Sequence, residues 1–103
     1  MAEGIEVLVL LDVGGLEDVE KFEKHVKKEG FIAVEGEKHV YTGHSTTTTF
    51  STKAYILEVF KKGLQKAGFV DANLIFLLNE TPYPPYYFDK ETNDFELLEK
   101  EEK

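Results

Sequence analysis

The chain has no cysteine, which removes disulfides, thiolate zinc sites, iron–sulfur clusters and cysteine nucleophiles together. It has no arginine either: all twelve basic side chains are Lys. Arg supplies the planar fork that reads phosphates, guanines and carboxylates bidentately. Its absence, beside twenty acidic groups and a net charge of -8, argues against nucleic acid as a partner. There is also no apolar run long enough for a signal peptide or a membrane span, so a cytoplasmic protein without membrane contact is the expectation. Proline is scarce, and its three copies, Pro82, Pro84 and Pro85, fall in one short segment.

What is present suits one small domain. The 103 residues are 42% hydrophobic and 13% aromatic, enough for a real but modest core. Ile5 to Val13 reads IEVLVLLDV, a β-branched and Leu run closed by Gly14-Gly15, which predicts a central strand apolar on both faces. From Leu16 to Glu29 the period changes. Leu16, Val19, Phe22 and Val26 form a helical stripe, three Glu-to-Lys pairs at i,i+4 decorate the other side, and Gly30 ends the helix. Phe31 to Glu35 predicts a strand and Gly36-Glu37 a turn. Lys38 to Phe50 predicts extended chain broken or bulged at Gly43-His44. Ser51 or Thr52 is the expected cap of a second helix. Its stripe is Ile56, Val59, Phe60, Gly63, Leu64 and Ala67, and Gly68 ends it. Asn73 to Asn79 (NLIFLLN) predicts another buried-type strand.

An internal echo supports this order. Val26, Gly30, Phe31 and Leu64, Gly68, Phe69 repeat one pattern 38 residues apart, each closing a helix and launching a strand. The predicted fold is therefore α+β: a ferredoxin-like βαββαβ sandwich over residues 1–80, an antiparallel sheet with two helices on one face. Residues 81–103 are expected to add a Pro/Tyr-rich extension and an acidic tail. Asp89 to Lys103 alone carries -4, half of the total charge, and Phe95 and Leu98 would suit a short terminal helix.

Several residues are candidates for chemistry or recognition. Asp12 is the lone polar group near the end of a buried strand, where a carboxylate can bind metal or simply cap a turn. His39 and Tyr41, placed on one strand face by the period of two, and His44 beside them, are candidate ligand-binding groups with the Thr46–Thr49 hydroxyl row. That row also suits a polar edge strand. His25, among charged residues of the first helix, reads as solvated. Tyr83, Tyr86, Tyr87 and Phe88 are the candidate partner-binding cluster, since rigid aromatic residues beside proline are typical of interfaces. The same cluster would also serve to cover the open sheet face of its own chain or of a second subunit.

The strand-ending Asp12 in VLLDV, the helix ending KKEGF and the segment LEDVEKFEKHVKKEGF resemble a group of small ferredoxin-like proteins, over about Ile5 to Leu78. The group comprises the small CRISPR-associated nuclease subunit, the virulence-associated protein D family and the type V antitoxin endoribonucleases. The resemblance implies a dimer with Asp12 as a ligand for a divalent metal at the dimer axis. Where the CRISPR-type proteins carry Arg around the first helix, this chain has Gly14-Gly15-Leu16.

Charge ranks the functions. Residues 1–88 still hold thirteen acids against nine Lys. The first expectation is a small acidic interaction or regulatory module, not an enzyme and without cofactor, that binds a protein partner or a copy of itself. The alternative is a metal-dependent endoribonuclease-like protein built on Asp12, and the third a small-ligand binder built on His39, Tyr41 and His44.

Overall fold

The computed structural model describes residues 4–97; the first three residues and 98–103, which include Leu98 and the end of the acidic tail, lie outside it. Strand β1 (Ile5–Gly14) is central. It runs antiparallel to β3 (Val40–Ser45) on one side and to β4 (Asp71–Leu78) on the other. Strand β2 (Ile32–Ala33) pairs with the outer edge of β3. Beyond β4 lie β6 (Tyr86–Asp89) and β7 (Asp94–Leu97), while β5 (Thr81–Pro82) pairs with the end of β4. The result is a seven-stranded antiparallel sheet in the order β2-β3-β1-β4-β6-β7, with β5 off that path.

Two helices complete this α+β fold. Helix α1 (Val19–Lys28) is capped by Asp18, whose carboxylate accepts from the Lys21 N–H at 3.0 Å. Helix α2 (Thr49–Ala67) is capped by Thr48, whose hydroxyl accepts from the Ser51 N–H at 3.1 Å. The inward residues of the sheet are Val7, Val9 and Leu11 of β1, Tyr41 of β3, and Ala72, Leu74, Phe76 and Leu78 of β4. They form one core with Phe22 and Val26 of α1 and with Ile56, Val59, Phe60, Leu64 and Ala67 of α2. Phe22, Tyr41 and Phe60 meet edge-on or tilted, with centroids 5.5–6.0 Å apart, the offset geometry aromatic rings prefer.

Four expectations are corrected. First, the chain is continuous through Gly43, which pairs with Val7 without a bulge. Gly is needed there because a Cβ would stand 3.1 Å from the Phe31 ring and 3.2 Å from the Gly30 carbonyl. Second, Thr46–Thr49 is not an edge strand. Thr48 caps α2 in place of Ser51 or Thr52, and Thr49 and Phe50 already belong to the helix. Thr52 is instead buried, donating to the Thr48 carbonyl at 2.8 Å. Third, the strand expected over 31–35 shrinks to Ile32–Ala33, with one further bond from the Val34 N–H to the Val40 carbonyl at 2.8 Å before the chain turns away.

The fourth correction concerns the segment from Thr81 onward. It does not fold across the sheet; it runs back along β4 as strands of the same sheet. Asn79 and Glu80, both at positive φ (52° and 70°), make the tight hairpin turn that reverses it. The Tyr83 N–H donates to the Phe76 carbonyl at 3.1 Å, and Pro84-Pro85, with no N–H to give, separate β5 from β6. Asp94 to Leu97 is a strand rather than a helix, and Phe95 is buried against Phe88.

Candidate functional site

Alternation along β1 sends Val7, Val9 and Leu11 into the core and Glu6, Leu8, Leu10 and Asp12 to the other side. The register extends that second face sideways. Leu8 lies between Thr42 and Leu77, Leu10 between Val40 and Ile75, and Asp12 beside Asn73. Ile32 continues it past Thr42, and Tyr87 past Asn73. No element of the described residues covers this face. Leu10 and Ile75 are each 39% exposed and Ile32 49%. The band leaves Leu10, Ile75 and Ile32 in contact with solvent, an apolar surface without a cover among the described residues.

Charge is confined to the two ends of the band. At one end the Glu6 carboxylate lies 3.3 Å from Nδ1 of His44. At the other end Asp12, Lys38, His39 and Asn73 rim a depression of about 300 Å³ whose walls are Leu10, Val40 and Ile75. His39 holds a left-handed backbone (φ 59°), costly for a non-glycine residue, and its carbonyl accepts from the Leu11 N–H at 3.0 Å. Its Nδ1 is buried with no hydrogen-bond partner among the described residues.

The candidates from the sequence are thus redistributed. Asp12 and His39 come together at the depression. Tyr41 does not join them, because His39 precedes the strand and its backbone breaks the alternation. Tyr41 points into the core, fully buried, with its hydroxyl 3.5 Å from Glu23; burial, and then the Glu23 charge, push its pKa up. His44 stands at the far end of the band from His39. Of the Thr row, Thr46 and Thr47 line a separate depression of about 370 Å³ with His44, Ser45, Ser51, Thr52 and Tyr55; the Thr47 hydroxyl lies 3.4 Å from those of Ser45 and Thr52, and the Thr48 hydroxyl caps α2.

The aromatic cluster divides by parity. Tyr83 and Tyr86 stack on Phe76 at 5.6 and 5.9 Å, and Phe88 packs on Phe69 and Phe95 at 4.9 and 5.3 Å, all on the core side. Tyr87 alone of the four lies on the open face. Burial, and then the charges of Asp89 and Glu96, raise the pKa of its hydroxyl.

The apolar character of the open face was legible in the lack of polar residues at alternate positions of IEVLVLLDV and NLIFLLN. The feature that escaped the sequence is His25. It is not simply solvated: its Nε2 is buried, and burial, followed by the nearby Lys66 ammonium, lowers its pKa.

Among the described residues no group of three or more His, Cys, Asp or Glu stands close enough to hold a metal, and no helix is long and apolar enough to cross a membrane. No family model matches the chain, and no curated protein or solved structure matches it.

Proposed function

We propose that this chain is a small acidic protein-interaction module that works through the open face of its sheet, and that the occupant of that face is a second copy of itself. The observation that carries the reading is the bare apolar band bounded at each end by groups of opposite charge. A two-fold axis lying between two such sheets, parallel to β1 and running between β1 and β3, lays each end of the band over the same end of the second copy. Glu6 of one copy then faces His44 of the other, and Asp12 faces Lys38. The mixed ends are complementary in that arrangement, and the uncharged centre keeps the -8 of each copy away from the contact. The slab measures 42 × 40 × 24 Å, so its broad side has room for the roughly 800 Å² per partner that a standard interface buries.

The strand order β2-β3-β1-β4, with the helices as crossovers, supports reading Ile5–Leu78 as a ferredoxin-like βαββαβ unit. That fold hosts many functions and does not by itself choose one.

Sedimentation of the wild type and of Leu10→Lys tests the module. A dimer that becomes a folded monomer on substitution supports it; a wild-type monomer at high micromolar concentration overturns self-association. Charge reversal tests the arrangement. Asp12→Lys should weaken the dimer, and adding Lys38→Asp should restore it.

A second reading is metal-dependent RNA cleavage at Asp12, supported by the meeting of Asp12 with His39 at one depression. It requires the two Asp12 carboxylates of a dimer to share one metal site, rather than each to pair with Lys38. RNA cut in Mg²⁺ or Mn²⁺ by the wild type but not by Asp12→Asn would establish it, and RNA left intact by both would remove it.

A further inference from the structure

On the helical side of the molecule the charge pattern inverts. Lys21, His25 and Lys28 fall at i, i+4 and i+7 along α1, with Lys24 beside them, and Lys66 approaches from the last turn of α2. The five side chains line a groove of about 200 Å³. The helices meet closely here because α2 carries Gly63, where a Cβ would stand 2.9 Å from the Phe22 ring and 3.2 Å from His25 Cδ2. The seam holds the imidazole against α2, with its Nε2 buried and unpartnered among the described residues.

Four of the chain's twelve Lys thus share one groove in a protein of net charge -8. Among the described residues, none of the four has a carboxylate within 4.0 Å. Acids also stand nearby, without closing an ion pair to these lysines. Glu29 receives the Tyr55 hydroxyl at 2.9 Å, and Glu20 and Glu23 line a neighbouring depression with Lys24 and Lys27. Uncompensated like charges repel one another, so this cluster costs stability unless an anion neutralises it.

We propose that the groove between α1 and α2 binds a small phosphate-class anion, held by the ammonium groups of Lys21, Lys24, Lys28 and Lys66 over the His25 ring. Lys suits this role without Arg because it acts on phosphate as a point charge. The volume admits inorganic phosphate or pyrophosphate. The site lies on the opposite side of the molecule from the open sheet face, so it stands whether or not that face dimerises.

The test uses the full chain with inorganic phosphate and pyrophosphate, and with chloride at matched ionic strength. Calorimetry should show saturable binding, about five-fold weaker for Lys66→Gln and again for Lys21→Gln. Proton NMR of the imidazole should show the His25 pKa rising when phosphate is present. A merely structural role for these lysines would not move that titration. Absence of binding at millimolar phosphate, equal effects of chloride and phosphate, or undiminished affinity in the double variant would each overturn the proposal.

Discussion

The two faces of one sheet carry nearly the same kind of side chain and meet opposite fates. Val7, Val9 and Leu11 alternate along β1 with Leu8 and Leu10. The first three are at most 5% exposed, because α1 and α2 lie over them; Leu10 is 39% exposed, because nothing does. The comparison teaches that an apolar alternation specifies a surface to be covered and is silent about what covers it. Two helices supply one cover. The C-terminal strands, which had the aromatic side chains to provide a second, direct most of them to the face already covered.

The largest test of that contrast is truncation after Glu80. Tyr83 and Tyr86 stack on Phe76, and Phe88 and Phe95 are buried, so losing them opens the inward face. Each buried Phe removed costs about 3–5 kcal/mol, and the shortened chain should lose its cooperative melting transition by circular dichroism. A truncated chain that melts like the full one would show that these strands are an accessory.

Next comes the contrast at single positions. Phe60→Ala, fully buried on the inner side of α2 against Phe22 and Tyr41, should cost about 3–5 kcal/mol in urea denaturation. Leu10→Ala on the open face should cost the monomer about 0.5 kcal/mol or less. Similar losses at the two positions would mean that the open face is covered in solution. Between these two in size is the cap of the covering layer: Thr48→Ala removes the hydroxyl that holds the Ser51 N–H, and should cost about 1 kcal/mol, with Thr48→Asp recovering it.

The smallest expected effect is a pH dependence. Burial and then Lys66 lower the His25 pKa in the folded chain, whereas the unfolded chain titrates near the ordinary 6.5. The unfolded state therefore binds the proton first as pH falls. The favourable contribution of neutral His25 is complete above about pH 7 and is lost on acidification through and below about 6.5. Denaturation at about pH 7.5 and about pH 5.5 should show a smaller decline for His25→Gln than for the wild type. Equal declines would assign the effect to other groups.

Much of the architecture was legible in the sequence, for local reasons. The stripe from Ile56 to Ala67 is buried along its length, and Gly30 and Gly68 both take the positive φ that ends a helix. The boundaries between elements were less legible. Thr46 to Thr52 offers several side chains able to cap a helix, and Thr48 won because its backbone is extended just where the chain leaves β3. The candidate site was the least legible part. His39 left the face of Tyr41 through one left-handed residue, which no periodicity reports.

By itself, the sequence determined the chemistry available: no thiol, no guanidinium, a net negative charge, two helices and strands apolar on both sides. These follow from residue identity and local period. Tertiary structure alone decided which apolar face stayed bare, that most of the Tyr/Pro aromatics packed inward, and that four lysines met across a helix seam. Each of those depends on which distant segments pair and pack, and the energies involved are contacts between residues far apart in the chain.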